Sequence, residues 1–121
     1  MKIKIRPSDK IFSIFIRTRA KWRCERCFKQ YEPPTMGLQC SHYWGRAKES
    51  TRFEPSNCAA LCFSCHQYFT ANPYEHTEWF KKRLGEQRFK ALMIQANVDR
   101  KKRDDRLDLL YAKKLLEELG T

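Results

Sequence analysis

The sequence predicts one α+β domain: a strand, loop, strand and helix core stapled by a metal ion, with helices flanking it at both ends. Three observations carry this. Two Cys-x-x-Cys pairs, Cys24/Cys27 and Cys62/Cys65, are separated by 34 residues. Extended runs at 38–44 and 58–61 lead into a short helical pattern from Phe63 to about Phe69. Long stretches before and after them repeat apolar residues at helical spacing. With 121 residues the chain suffices for one core and is too short for two independent ones.

Charge narrows the function classes. The chain has 25 Lys+Arg against 14 Asp+Glu, a formal net charge of +11, which suits a polyanionic partner, most simply nucleic acid. No apolar run approaches the roughly 18 residues of a membrane span, so no membrane association is expected. The apolar run Ile11–Ile16 is interrupted by Ser13 and leads into Arg17, Arg19 and Lys21 instead of a small-residue cleavage site. A cytoplasmic location is therefore expected. Thiols stay reduced there, so the cysteine pairs read as metal ligands and not as disulfides.

Taken in order, Lys2 to Pro7 alternates basic and apolar residues, a short strand or an extended arm. Ser8 is the expected N-cap of the first helix, with Asp9 in its first turn. From Asp9 to Trp22, residues Ile11, Phe12, Phe15, Ile16 and Trp22 fall near one face, read as core. Arg17, Arg19 and Lys21 line the other side, either as a solvated face or as phosphate contacts. Cys24 to Cys27 forms a knuckle, and Pro33, Pro34 and Gly37 mark a loop. A strand is expected from Leu38 to Trp44, a basic loop over 45–50, a turn at 55–57 and a second strand at 58–61.

Beyond Asn72-Pro73 the pattern is helical. Glu75–Leu84 carries Trp79, Phe80 and Leu84, and Gly85 breaks it. Glu86–Ala96 places Phe89, Leu92 and Met93 on one face. Asn97–Arg103, a basic run, is a linker or a helix start. Asp104–Leu119 repeats Leu107, Leu110, Tyr111, Lys114, Leu115 and Glu118 as an amphipathic helix closed by Gly120.

Each Cys-x-x-Cys knuckle offers two thiolates, and zinc favours four soft ligands in a tetrahedron. Cys24, Cys27, Cys62 and Cys65 are therefore the expected ligands of one structural Zn²⁺, which would tie the N-terminal helical region to the helix starting near Phe63. A chain with so modest a core gains stability from such a clip. Cys40 and Cys58 remain, either as small buried side chains on adjacent strands or with Cys40 a ligand of a second metal near His42.

His42, Asn57 and His66 stand 15 and then 9 residues apart. A hairpin would bring His42 and Asn57 together, so that the asparagine carbonyl holds one imidazole nitrogen and leaves the other free as a general base. His66, on a helix pinned by the cysteines, would hold a divalent cation against a phosphodiester while His42 deprotonates a water. Arg46, Lys48 and Arg52, in the intervening loop, are either solvated or position phosphate. Tyr43 and Trp44 are core or stack on a base, and His76 reads as an ordinary helix residue.

This arrangement resembles the HNH, or ββα-metal (His-Me finger), nucleases: a base histidine, a central asparagine, and a helix histidine directly after a Cys-x-x-Cys. The two intervals are similar to those of colicin-type DNases. More of the chain, roughly residues 8–95, resembles the phage lambda NinG/Rap-type recombination endonucleases. The shared features are Phe12-Ser13 and Ile16-Arg17 ahead of Cys24-x-x-Cys27, then Ser41-His42-Tyr43, Arg52-Phe53-x-x-x-Asn57, Cys62-x-x-Cys65 and the stretch 72–85.

Together with the zinc clip, the resemblance implies an HNH nuclease domain with structural zinc over 1–96; residues 97–121, whose last helix lies outside the resemblance, read as a basic, amphipathic helical extension of the same domain. It implies a bacterial or phage-encoded DNA endonuclease acting on double-stranded or branched DNA. His42 would be the base, Asn57 its orienting residue, and His66 a ligand of a catalytic Mg²⁺, Mn²⁺ or Ni²⁺. Ser41 stands where many members carry a second metal ligand, Asp or His, and Thr70 where the colicin type has a further histidine. Ser41 is thus a candidate ligand. The alternative reading is a zinc-stabilised nucleic-acid-binding module without catalysis.

Overall fold

A computed structural model describes residues 3–98 and 103–120. It is an α+β arrangement with, among the described residues, five α-helices and one two-stranded antiparallel sheet. The arm Ile3–Arg6 has no regular structure; Lys2, and Arg100 to Lys102 of the basic run, lie outside the described residues. Pro7 then opens α1 (Pro7–Arg19), its fixed φ suiting a first helical position where no N–H is needed. The cap differs from the expected Ser8. Asp9, in the first turn, accepts the Arg6 backbone N–H at 2.8 Å, while Ser8 is buried inside the helix.

Phe12, Phe15 and Ile16 bury the expected apolar face, each fully buried large side chain contributing about 2 kcal/mol. The helix ends before Trp22 because Lys21 and Trp22 both adopt left-handed backbone, φ 57° and 58°, a conformation that cannot continue it. Trp22 still packs on the core from outside the helix.

Strands β1 (Leu38–His42) and β2 (Cys58–Cys62) pair antiparallel, with His42 opposite Cys58 and Leu38 opposite Cys62. A 3-10 turn over Pro55–Asn57 leads into β2. All five β2 residues are buried, since helices pack on both faces of this small sheet. Helix α1 lies on one, and α2 (Phe63–Ala71) on the other. Alternation puts Cys40 and His42 on the α1 side, where His42 lies 6.4 Å from the Phe12 ring. Gln39 and Ser41 take the α2 side. Helices α3 (Pro73–Leu84) and α4 (Glu86–Ala96) are joined at Gly85, whose φ of 86° needs a residue without Cβ. No described helix is long and apolar enough to cross a membrane.

Helix α5 (Asp105–Leu119) is capped by Asp104 and packs along α1. Its inward face is not its most apolar one. Asp108 and Ala112 are buried, with Leu115 and Leu116 partly so, whereas Leu107 and Leu110 are 64% and 63% exposed. The small Ala112 allows close approach, and Asp108 turns inward because Arg103 pairs with it at 2.8 Å.

The largest fully buried side chain is Arg52. Its guanidinium meets Asp9 through two bonds, Nε to Oδ1 at 3.1 Å and Nη2 to Oδ2 at 2.6 Å, and also donates to the Lys4 carbonyl at 2.8 Å. One residue thus joins the arm, the α1 cap and the loop between the strands. For Asp9, burial raises the carboxyl pKa, but the hydrogen bonds from Arg52 and the Arg6 amide outweigh it and leave it below the usual value.

Asp9→Asn would remove the nearer counter-charge of Arg52 and leave the Glu49 carboxylate, 3.5 Å away, as the remaining one. It is expected to cost about 3 kcal/mol, read as a lower denaturant midpoint; a change under about 1 kcal/mol would refute the assignment. Because the folded Asp9 pKa lies below the unfolded one, its contribution is present above the unfolded value and is lost as pH falls through the folded one. Acid titration of unfolding should therefore show wild type losing stability below about pH 4, and Asp9→Asn losing less.

Candidate functional site

The four-cysteine cluster is assembled from two loops that the sheet holds together. In the first knuckle, Phe28 adopts φ 67° and its N–H meets the Cys24 carbonyl at 2.9 Å, turning Cys27 back beside Cys24. This knuckle rides on the β2 edge: Glu25 N–H donates to the Ala60 carbonyl at 2.8 Å, and the Glu25 carboxylate accepts from the Ala60 N–H at 2.6 Å. In the second, Cys62 caps α2, its sulfur accepting the Cys65 N–H at 3.5 Å.

All four sulfurs lie within 4.8 Å of one another, Cys27 and Cys62 at 3.7 Å. Zn–S bonds of about 2.3 Å in a tetrahedron place sulfurs about 3.8 Å apart, so this cluster fits a metal such as zinc. The amides of Cys27 and Cys62 donate to the Cys24 sulfur. Arg26 donates to Cys65 at 3.4 Å. For Cys62, burial raises the thiol pKa, yet bonds from the Cys65 amide and the Ser64 hydroxyl prevail and bring it down to about 6. Burial pushes Cys65 upward.

The histidines are placed by β1 and α2. His42 Nε2 lies 3.0 Å from the Arg52 carbonyl. A carbonyl only accepts, so Nε2 carries the proton and Nδ1 keeps its lone pair. Burial, then the charge of Arg46, pull the His42 pKa down to about 4, so the ring is neutral at neutral pH. The expected Asn57 contact is replaced. Asn57 is wholly buried; its Oδ1 accepts from Trp44 N–H at 2.9 Å, and its Nδ2 donates to the Trp44 and Thr51 carbonyls at 2.9 and 3.1 Å. Asn57 clamps both ends of the loop, and the loop presents the Arg52 carbonyl to His42.

His66, across β1 on the α2 side, holds its Nδ1 2.7 Å from the Gln39 amide oxygen, which leaves Nε2 free. Burial and Arg46 lower its pKa as well. Gln39, Cys40, Arg46 and His66 border a cavity of about 540 Å³ along the β1 edge. Among the described residues, no cluster of three or more His, Cys, Asp or Glu ligands includes His66. Ser41, the possible second ligand, is 2% exposed. Thr70 bonds back to the His66 carbonyl at 3.0 Å.

The basic residues separate by role. Arg52, expected on the loop surface, is buried and committed to Asp9. Arg46 lines the cavity, 3.5 Å from Asp9. Arg17 borders the same cavity and donates to the Thr35 carbonyl at 3.0 Å, and Arg19 donates to the Pro55 and Cys58 carbonyls at 3.1 and 2.8 Å. Lys48 is exposed. Tyr43 is core, ringed by Trp44, His76, Phe80 and Phe89 with its hydroxyl 2.8 Å from Thr77. His76 belongs to that cluster, stacked on Phe69 at 4.9 Å. Gln39 carried no sequence signal beyond its place three residues before His42. Cys40 and Cys58 join His42 in a second cluster, all three ligand atoms within 4.8 Å.

No family model, no curated protein and no solved structure matches the chain. The tetrathiolate cluster is testable directly. Cobalt added to metal-free protein should give a four-thiolate absorption spectrum, which Cys24→Ser should abolish. The variant should melt about 10 °C or more below wild type, since metal binding contributes to folding free energy. Equal melting temperatures would show that the clip is not structural.

Proposed function

We propose that the protein is a metal-dependent DNA endonuclease of the HNH, or ββα-metal, kind, with β1, β2 and α2 as its core. The observation that carries this reading is the pair of histidines flanking the β1 edge, each with one ring nitrogen tied and the other free. His42 Nδ1 would take a proton from water, whose oxygen forms a bond to phosphorus as the bond to the leaving oxygen breaks. The Arg52 carbonyl keeps the tautomer and ring orientation that this requires. His66 Nε2, with Ser41 as the possible second ligand, would hold a divalent cation (Mg²⁺, Mn²⁺ or Ni²⁺), which supplies charge stabilisation to the phosphoryl oxygens and leaving group.

Arg46, whose charge acts on both histidines and which lines the cavity with His66, is suited to draw the phosphate into the cavity. The net charge of +11 favours DNA, double-stranded or branched, as the polyanion. Two observations favour the second reading, a zinc-stabilised nucleic-acid-binding module: among the described residues no ligand cluster includes His66, and Ser41 is buried. That module would bind DNA in a salt-sensitive way and leave it intact.

Supercoiled plasmid should be nicked in the presence of Mg²⁺, Mn²⁺ or Ni²⁺. His42→Ala should slow nicking by about 100-fold or more while retaining DNA affinity and its melting transition. His42→Ala cutting as fast as wild type would sink the mechanism. Absence of cutting with every cation, alongside intact binding, would establish the module instead.

A further inference from the structure

We propose that Cys40, His42 and Cys58 form a second site for a thiophilic divalent cation of the zinc class, separate from the four-cysteine clip. The register creates it. His42 lies opposite Cys58, and Cys40 sits two residues along the same face of β1. The two thiols and a ring nitrogen of His42 fall within 4.8 Å of one another. Zn–S bonds of about 2.3 Å and Zn–N bonds of about 2.0 Å need donors roughly 3.5–3.8 Å apart, so the three ligands close on an ion with small side-chain movements.

Two further features are those of a metal-binding histidine site. His42 Nε2 is held by a backbone carbonyl, the Arg52 oxygen at 3.0 Å, the kind of partner that orients an imidazole ligating through its other nitrogen. The site is also open on one side. Cys58 is wholly buried, but Cys40 borders the cavity of about 540 Å³ that also meets Arg46 and His66. A fourth position facing that cavity would take water or another exchangeable ligand. Two thiolates offset the charge of a dication, and their softness selects zinc or cobalt over magnesium.

A consequence follows for the hydrolytic centre, and it rests on the endonuclease reading. Occupancy would consume the lone pair that His42 needs as a base. Zinc at this site would therefore inhibit, while magnesium, a poor partner for thiolates, would leave the base free.

Metal-free protein titrated with Co²⁺ should show two thiolate-ligated equivalents per chain, read by sulfur-to-metal absorption to which a cation at His66 does not contribute, and zinc-loaded protein after gel filtration should retain two. The second equivalent should give a weaker sulfur-to-metal absorption, as two thiolates would, than the first. Cys40→Ala and Cys58→Ala should each reduce the stoichiometry from two to one, with far-UV circular dichroism unchanged. Because Cys58 is buried, Cys40→Ala is the deciding variant if Cys58→Ala misfolds. One equivalent in wild type, or two retained in Cys40→Ala, overturns the proposal. The readouts are separable: one equivalent with active nicking removes this site and leaves the nuclease standing. Two equivalents with no nicking under any cation support the site and remove the nuclease.

Discussion

Arg52 is the constraint on which the rest of the arrangement depends. A buried guanidinium is tolerated only when its charge and donors are met, and here three separate segments meet them. Asp9 supplies the charge from the first turn of α1, the Lys4 carbonyl supplies an acceptor from the arm, and the Arg46 carbonyl closes the loop at 3.3 Å. Satisfying one side chain therefore fixes the start of α1 over the sheet and the path of the loop. The backbone oxygen of the same residue then meets His42, so the tautomer of the candidate base follows from the burial of an arginine.

Around that anchor the small sheet acts as a spacer. Its two strands separate two chemistries: His42, Cys40 and Cys58 face α1, while Gln39 and His66 face α2. The cavity at the free β1 edge is the place where both sides are approached, and Arg46 touches it from the loop. The four-cysteine cluster lies at the other end of β2, near Cys62, and sets where α2 begins. It thus places His66 without contacting it, and Asn57 likewise supports His42 through the loop it clamps and not through the ring.

Much of the fold was legible in the residue pattern. The α+β class, both knuckles, both strands and α2 to α4 follow from local signals: cysteine spacing, short apolar runs, and breaks at Asn72-Pro73 and Gly85. The α1 apolar face was legible too, although its cap was not. Ser8 is as good a local N-cap candidate as any, but Arg6 takes that position ahead of Pro7, and Asp9 in the first turn serves both the Arg6 amide and Arg52. The inward face of α5 is set for a related reason. Leu107, Leu110 and Tyr111 form the more apolar stripe, yet Ala112 and Asp108 turn inward, since fit against α1 and the pairing with Arg103 decide the rotation.

The sequence by itself determined which chemistry is present: four cysteines in two knuckles, two histidines and an asparagine at fixed intervals, and a basic surplus. Those depend on residue type and on contacts a few residues apart. The tertiary structure alone decided which atoms meet. That Arg52 is buried, that its carbonyl and not Asn57 holds His42, that Gln39 holds His66, and that Cys58 joins Cys40 at the base histidine all depend on strand register and helix docking. Contacts of that kind arise from satisfying buried charge and filling space across distant segments, which local spacing does not encode.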